Sequence, residues 1–411
     1  MARLMRLAYL TPLAPVQTET SYYSEELLPH LCRHAQVDVY TDDRLAAAQE
    51  VGRAYRLYGY HDLEQPGRYD HLIYQLGSDP VHLPILERFL RYGGVVVLHD
   101  ADLTSLAEAA RDGQGDGRSP LNGVRRSGGL LWPFFKSGYD ALLQRQWLPR
   151  RWQRNGSLLE QATGVIVHSR AARRYVTGHS PRARVRQVPL GVRRPPAVDP
   201  LQARQLLGIP PQAFAVAAPL EQAEGATLAV VLQGLRQLIE RWAESYCLLV
   251  GRAQPEGNAG RLIEAAGLGD RARIVCYSDL AGLYRCLAAA DVTVSLAASG
   301  HGHLPPILLR AMSLGRPAVV ANCPPYDELP GECALLIEPG AGEVAQLAAT
   351  LWAMAAHPPM RQWYGECAAR YVQAEHTPAT TARHYIEFVE RLSLPEVAEE
   401  PRVAEPAVWG S

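Results

Sequence analysis

The stretch DVTVSLAASGHGHLPPILLRAMSLGRP, Asp291 to Pro317, joins a buried strand, a Gly-rich loop and a helix in one short run. Val292, Val294 and Leu296 alternate as a short apolar strand. Ser299 to His303 is a loop carrying Gly300 and Gly302. Pro305 and Pro306 suit the first turn of a helix, where φ is already fixed and no N–H is needed. Leu304, Ile307, Leu308, Ala311 and Met312 recur at helical spacing, and Gly315 supplies the left-handed residue that ends the helix. The helix N-terminus therefore faces the loop and offers N–H groups and a partial positive charge suited to a phosphate.

Working outward, apolar strands alternate with helical stretches through both halves of the chain. The first half offers Leu7 to Thr11, Val37 to Thr41, Leu72 to Leu76, Val95 to His99, Val165 to His168 and Val185 to Val188. The second offers Phe214 to Ala218, Tyr246 to Val250, Arg273 to Tyr277, Val292 to Leu296, Pro317 to Ala321 and Ala334 to Ile337. Strands separated by helices make parallel, doubly wound sheets. The expected fold class is therefore α/β, with two Rossmann-like domains facing a cleft.

The 411 residues suit two or three domains at roughly 150 residues each, and two is the simpler reading. Residues 1–191 are expected to form the first domain. Val192 to Pro200 (VRRPPAVDP), rich in proline and without periodicity, forms the linker, and residues 201–378 form the second domain. Thr380 to Leu392 reads as a final helix, set within 379–394, and the aperiodic 395–411 as a disordered tail.

A formal net charge of −1 with 20% charged residues gives no electrostatic reason to expect nucleic acid. Seven scattered cysteines, never spaced as Cys-x-x-Cys, read as reduced core residues rather than disulfides or zinc ligands. Leu7 to Leu10 runs directly into Pro12, as a first strand does and a signal peptide does not. No window approaches the ~18 apolar residues of a membrane span. The expected location is the cytoplasm. The aromatic and basic run of residues 130–153 reads either as a peripheral membrane or acceptor-binding surface, or as a helical excursion packed on its own domain.

The quoted stretch, extended by Asp327-Glu328-Leu329-Pro330 and the apolar Cys333 to Ile337, resembles the donor-binding segment of retaining glycosyltransferases of family 4, which have the GT-B fold. Tyr9 to Leu28, Asp70 to Asp100, Gly164 to Tyr175 and Val188 to Val192 occur in the order such enzymes show, so the resemblance covers most of residues 6 to 390. It implies metal-independent transfer of a sugar from a nucleotide-diphosphate donor to an acceptor glycan or small molecule, with no cofactor. It also implies that the final helix crosses back to the N-terminal domain.

The resemblance carries over residue by residue, with gaps. His99, ending its strand, stands where similar enzymes hold a histidine near donor sugar and acceptor, and Asp100 beside it is expected to orient the imidazole. Ser299, Gly300, Gly302, His303, Leu304 and Pro305 correspond to the donor loop and helix start. The family's loop glutamate falls at Gly302 or, in a second alignment, at His303, and its later glutamate falls at Arg310. Its phosphate-binding arginine and lysine should lie in Pro219 to Gly225, which reads PLEQAEG. The only lysine, Lys136, is in the other domain, so Arg252 and Arg316 are the nearest substitutes. The N-domain loop, normally Ser-Gly or Gly-Gly, reads Thr18-Glu19-Thr20; its carboxylate must turn away from a diphosphate or pair with an arginine. His168 or Ser169 is expected to fix a strand-to-helix turn. Two readings follow: a glycosyltransferase with an altered donor site, or a GT-B homologue without transfer that partners an active paralogue. A phosphorylase or epimerase is disfavoured, because there is no lysine suited to a Schiff base and no dense set of cleft carboxylates.

Overall fold

The computed structural model describes residues 3–43, 55–103, 106, 156–220, 226–252, 259–297 and 302–394. The aromatic run of 130–153, the 395–411 tail, and within the expected site Glu221 to Gly225, Ser299 and Gly300 lie outside the described residues.

Two all-parallel sheets form. The first holds β1 (Arg6–Leu10), β2 (Gln36–Thr41), β3 (Arg56–Gly59), β4 (His71–Leu76), β5 (Gly94–Leu98), β6 (Ala162–Val167) and β7 (Val185–Gln187), in the order β3-β2-β1-β4-β5-β6-β7. The second holds β8 (Phe214–Pro219), β9 (Ser245–Arg252), β10 (Ala272–Tyr277), β11 (Val292–Ser295), β12 (Ala318–Ala321) and β13 (Ala334–Ile337), in the order β10-β9-β8-β11-β12-β13. The central strands are near-continuous apolar runs because helices cover both faces; Leu7, Tyr9, Ile73, Val95 and Val97 line one face of the first sheet's core and Ala8, Leu10, Tyr74, Val96 and Leu98 the other. β3 is the strand that apolar periodicity misses: RLYG is short and half polar.

Helices needed below are α1 (Glu19–Leu31), α2 (Leu83–Tyr92), α3 (Arg170–His179), α4 (Ala226–Arg241), α5 (Leu280–Ala288), α6 (Pro306–Ser313), α7 (Glu343–Ala356), α8 (Pro358–Glu375) and α9 (Pro378–Ser393). α2 buries Leu83, Ile85, Leu86 and Phe89 against the first sheet, and α4 packs on α7 beside the second. α6 starts with Pro305 as cap and Pro306 at its first position, and Gly315, at φ +73°, turns the chain out of it. α9 packs along α1 and β6, where Thr381 Oγ1 donates to Pro189 O at 2.8 Å. All seven cysteines are free. Among the described residues no helix is long and apolar enough to cross a membrane.

In each sheet the strand order reverses beside the first strand, between β1 and β4 and between β8 and β11. Loops at these switch points diverge from one another at the carboxyl ends of the strands and open a crevice, where open α/β sheets bind ligands. The loops concerned begin at Thr11 and Gly77 in one domain, and at Leu220 and Leu296 in the other.

Candidate active site

Contacts across the crevice bring the two sets of strand ends together. Gln17 Nε2 donates to Ser278 O at 3.1 Å, and Ser169 Oγ donates to Gly302 O at 2.6 Å. Glu328 of the second domain sits on the N-terminus of α3 in the first, its oxygens accepting from Arg170 N at 2.9 Å and Ala171 N at 3.0 Å. A carboxylate is favoured there because the first N–H groups of a helix have no internal partner. Ser169 caps the same helix, accepting from Ala172 N at 2.9 Å, as a residue fixing this turn should.

Beneath the crevice three imidazoles meet. His99 follows β5 and His168 follows β6, while His303 comes from the loop before α6. Their ring centroids lie 5.3 Å (His99 to His168), 6.1 Å (His99 to His303) and 6.1 Å (His168 to His303) apart. Tyr23 of α1 places its ring edge-on, 5.0 Å from His99 and 5.4 Å from His168, and its hydroxyl is 2.8 Å from that of Tyr385 on α9.

Each imidazole has one nitrogen against an oxygen that can only accept. His168 Nδ1 is 2.9 Å from Val188 O, His303 Nδ1 is 2.8 Å from Leu304 O, and His99 Nε2 is 2.8 Å from Gln75 Oε1. These nitrogens must therefore carry the proton, which leaves the other nitrogen of a neutral ring as an acceptor. His168 Nε2 is buried with no hydrogen-bond partner among the described residues, whereas the Gln75 amide acts on the Tyr385 hydroxyl. Burial, then the charge of His168 and His303, holds His99 well below the ordinary imidazole range; burial, then His303, pushes His168 down to about 3. Both are neutral at pH 7.

Acid sensitivity follows. Below about pH 6.5 the unfolded chain takes up protons on these histidines while the folded chain does not, so folded stability is full above that pH and falls as pH drops towards the depressed values. His99 and His168 together should remove about 3 kcal/mol between pH 7.5 and 5.5. His82 and His376, also lowered by burial, add in the same sense; Glu26, raised by burial, opposes them nearer its ordinary value of 4.5. Urea denaturation at these two pH values measures the loss, and equal stability at both would contradict the burial of neutral rings.

The remaining expected residues divide. Leu304 is buried and Pro305 caps α6, whose first turn has no side-chain cap, beside Gly302 and His303. Arg252, ending β9, acts electrostatically on the phenol of Tyr22 in α1, which places its charge at the crevice. Thr18 is the cap of α1, Glu19 lies in its first turn and Thr20 is buried. The charge of Glu19 acts on Arg310.

Three expectations are corrected. Asp100 does not orient His99: its Oδ2 accepts from Ser78 N and Ser78 Oγ, both at 2.8 Å, and Gln75 holds the imidazole instead. Arg310 is not a free donor-site cation, because its Nη2 is 3.1 Å from Glu26 Oε2 in an ion pair whose side chains are 2% and 4% exposed. Arg316 is largely buried beyond the far end of α6, where Nη2 donates to Ala288 O at 2.8 Å. Periodicity hides Arg310, which sits among Leu308, Leu309, Ala311 and Met312, and hides Glu26 before Leu27 and Leu28. A charged residue inside a buried apolar stripe is the signal that a partner exists.

Among the described residues no group of three or more His, Cys, Asp or Glu is arranged to hold a metal ion. Residues 214–356 match the family described as Glycosyl transferases group 1. The fold is shared with sucrose-phosphate synthase from Thermosynechococcus elongatus, at 16% identity and a TM-score of 0.60, over 94% of this chain and 99% of that one. HepE of Anabaena, solved in complex with UDP-glucose, aligns at 16% identity and a TM-score of 0.61, over 94% of this chain and 100% of that one. A glycosyltransferase from Rickettsia africae aligns at 13% identity and a TM-score of 0.57, over 95% and 98%. No curated protein matches the chain in sequence. The chain has the GT-B architecture of group 1 glycosyltransferases, and the resemblance read from its motifs holds for the fold.

Proposed function

We propose that the chain is a retaining, metal-independent glycosyltransferase that moves a hexosyl group from a nucleotide-diphosphate sugar to an acceptor hydroxyl. The observation that carries this reading is the cluster of His99, His168 and His303, assembled from both domains at the crevice. The neutral His168 ring, whose Nε2 has no partner among the described residues, can accept a hydrogen bond from a hydroxyl group, and a sugar supplies several. Negative charge building on the departing diphosphate would meet the N-terminus of α6 and Arg252. His99 stands nearest the reacting centre in this scheme, as acceptor or proton carrier for a sugar or acceptor hydroxyl. UDP-glucose, the ligand of the Anabaena structure, is a natural first donor to try.

A second reading is favoured by the fate of Arg310 and Arg316, both engaged by the protein itself. On this reading the cleft binds without transferring, and the chain partners an active paralogue. Incubation with a panel of nucleotide sugars and hydroxyl acceptors, with release of nucleoside diphosphate as the readout, separates the two. Acceptor-dependent release supports transfer. No release across the panel, with the candidate partner enzyme also supplied, supports the binding protein.

A further inference from the structure

We propose that the pocket between α3 and the edge strand β7 is a binding site for a phosphate-bearing ligand, separate from the interdomain crevice. From Gly164 to Leu190 the sequence holds Arg170, Arg173, Arg174, Arg182, Arg184 and Arg186 and neither Asp nor Glu. The β6–α3–β7 crossover folds this segment back on itself. Arg173, one turn into α3, and Arg186, in the middle of β7, thereby line one cavity of about 340 Å³ with Val185, Gln187 and Pro189. That volume holds a phosphate with a few further atoms attached.

The charges around the pocket leave the two guanidinium groups available. Among the described residues no carboxylate forms an ion pair with Arg173 or Arg186, whereas Arg170 lies 3.6 Å from Glu328. The Glu328 carboxylate touches the pocket only through Gln187 Nε2 at 3.4 Å, and it already accepts from two backbone N–H groups. On the far side of β6 and β7, Arg383 of α9 is paired with Glu387 at 3.8 Å. Arg173 and Arg186 both line this cavity, the charge of Arg186 also reaching His384 of α9, and a guanidinium can form paired hydrogen bonds with the oxygens of a phosphate. Neither arginine belongs to the histidine cluster, so this site stands whether or not the chain transfers sugar.

Phosphate of this kind could come from a small ester or from a lipid headgroup, and two probes distinguish them. Calorimetry with glycerol 3-phosphate reports the first; cosedimentation with phosphatidylcholine vesicles, with and without phosphatidic acid, reports the second. The R173Q/R186Q double variant should bind the responding probe at least about tenfold more weakly, the scale of one lost charge-assisted hydrogen bond. Both side chains reach solvent, so its thermal unfolding should match the wild type. Should it not, R173K/R186K keeps the charge without the planar fork and should still weaken binding several-fold. Response to the ester identifies a small-ligand site, and response to the anionic vesicles alone identifies a lipid headgroup. Binding of neither probe by the wild type, or equal binding by wild type and variants, would overturn the proposal.

Discussion

Replacing Glu26 by leucine should lower the unfolding free energy by about 3–5 kcal/mol, the scale of a buried ion pair stripped of one partner. Glu26 on α1 and Arg310 on α6 come from different domains, and their 3.1 Å contact is almost wholly shielded from solvent. Glu26 Oε2 also accepts from the backbone N–H of Arg193, in the segment between β7 and β8, at 3.1 Å. Tyr284 OH of α5 donates to the Arg193 carbonyl at 2.8 Å, so one carboxylate anchors both domains and the chain between them. Arginine does not lose its proton in proteins, so removing Glu26 leaves a buried cation without its partner. Glu26→Leu combined with Arg310→Met should recover most of the loss, because the paired charges repay little more than their own desolvation. Denaturant midpoints of the three variants measure this. A loss below about 1 kcal/mol in the single variant would mean that water reaches the pair.

His99→Ala should lower transfer by about 10²-fold or more, the contribution of a positioned polar or proton-transferring group. The ring lies at the end of β5, fixed by Gln75 and packed by Tyr23, with His168 and His303 completing its surroundings. The helix N-terminus proposed to meet phosphate belongs to the other domain, so nucleotide affinity should change little. His99→Asn, which retains a side-chain donor for Gln75, should fold like the wild type and still lose most of the turnover. Unchanged turnover in both variants would remove His99 from the mechanism.

The sheets were legible because parallel strands buried on both faces are short apolar runs that few other structures share. β13 spans the expected Ala334 to Ile337, and the other expected strands differ by a few residues at their ends. β3 escaped because its Arg-Leu-Tyr-Gly has no such run. Side-chain partnerships were much less legible. Asp100 is next to His99 in sequence, but successive residues leaving a strand point apart, and the partner that reaches the imidazole is Gln75 at the neighbouring strand's level. Arg310 looked available for a donor because its partner lies 284 positions away. His168 or Ser169 was expected to fix a turn; Ser169 caps it, while His168 joins the imidazole cluster, which its place in the sequence does not signal.

The crevice as a nucleotide-sugar site is tested most directly by calorimetric titration with nucleoside diphosphates and their sugars. One ligand should bind per chain, more weakly than about 1 μM (−8.2 kcal/mol), because Arg310 and Arg316 are engaged elsewhere. His168→Ala should weaken the nucleotide sugar more than the nucleoside diphosphate alone, since the imidazoles face hydroxyl groups in this scheme. Absence of binding by every nucleotide sugar, or binding that His168→Ala leaves untouched for both ligands, would contradict the account.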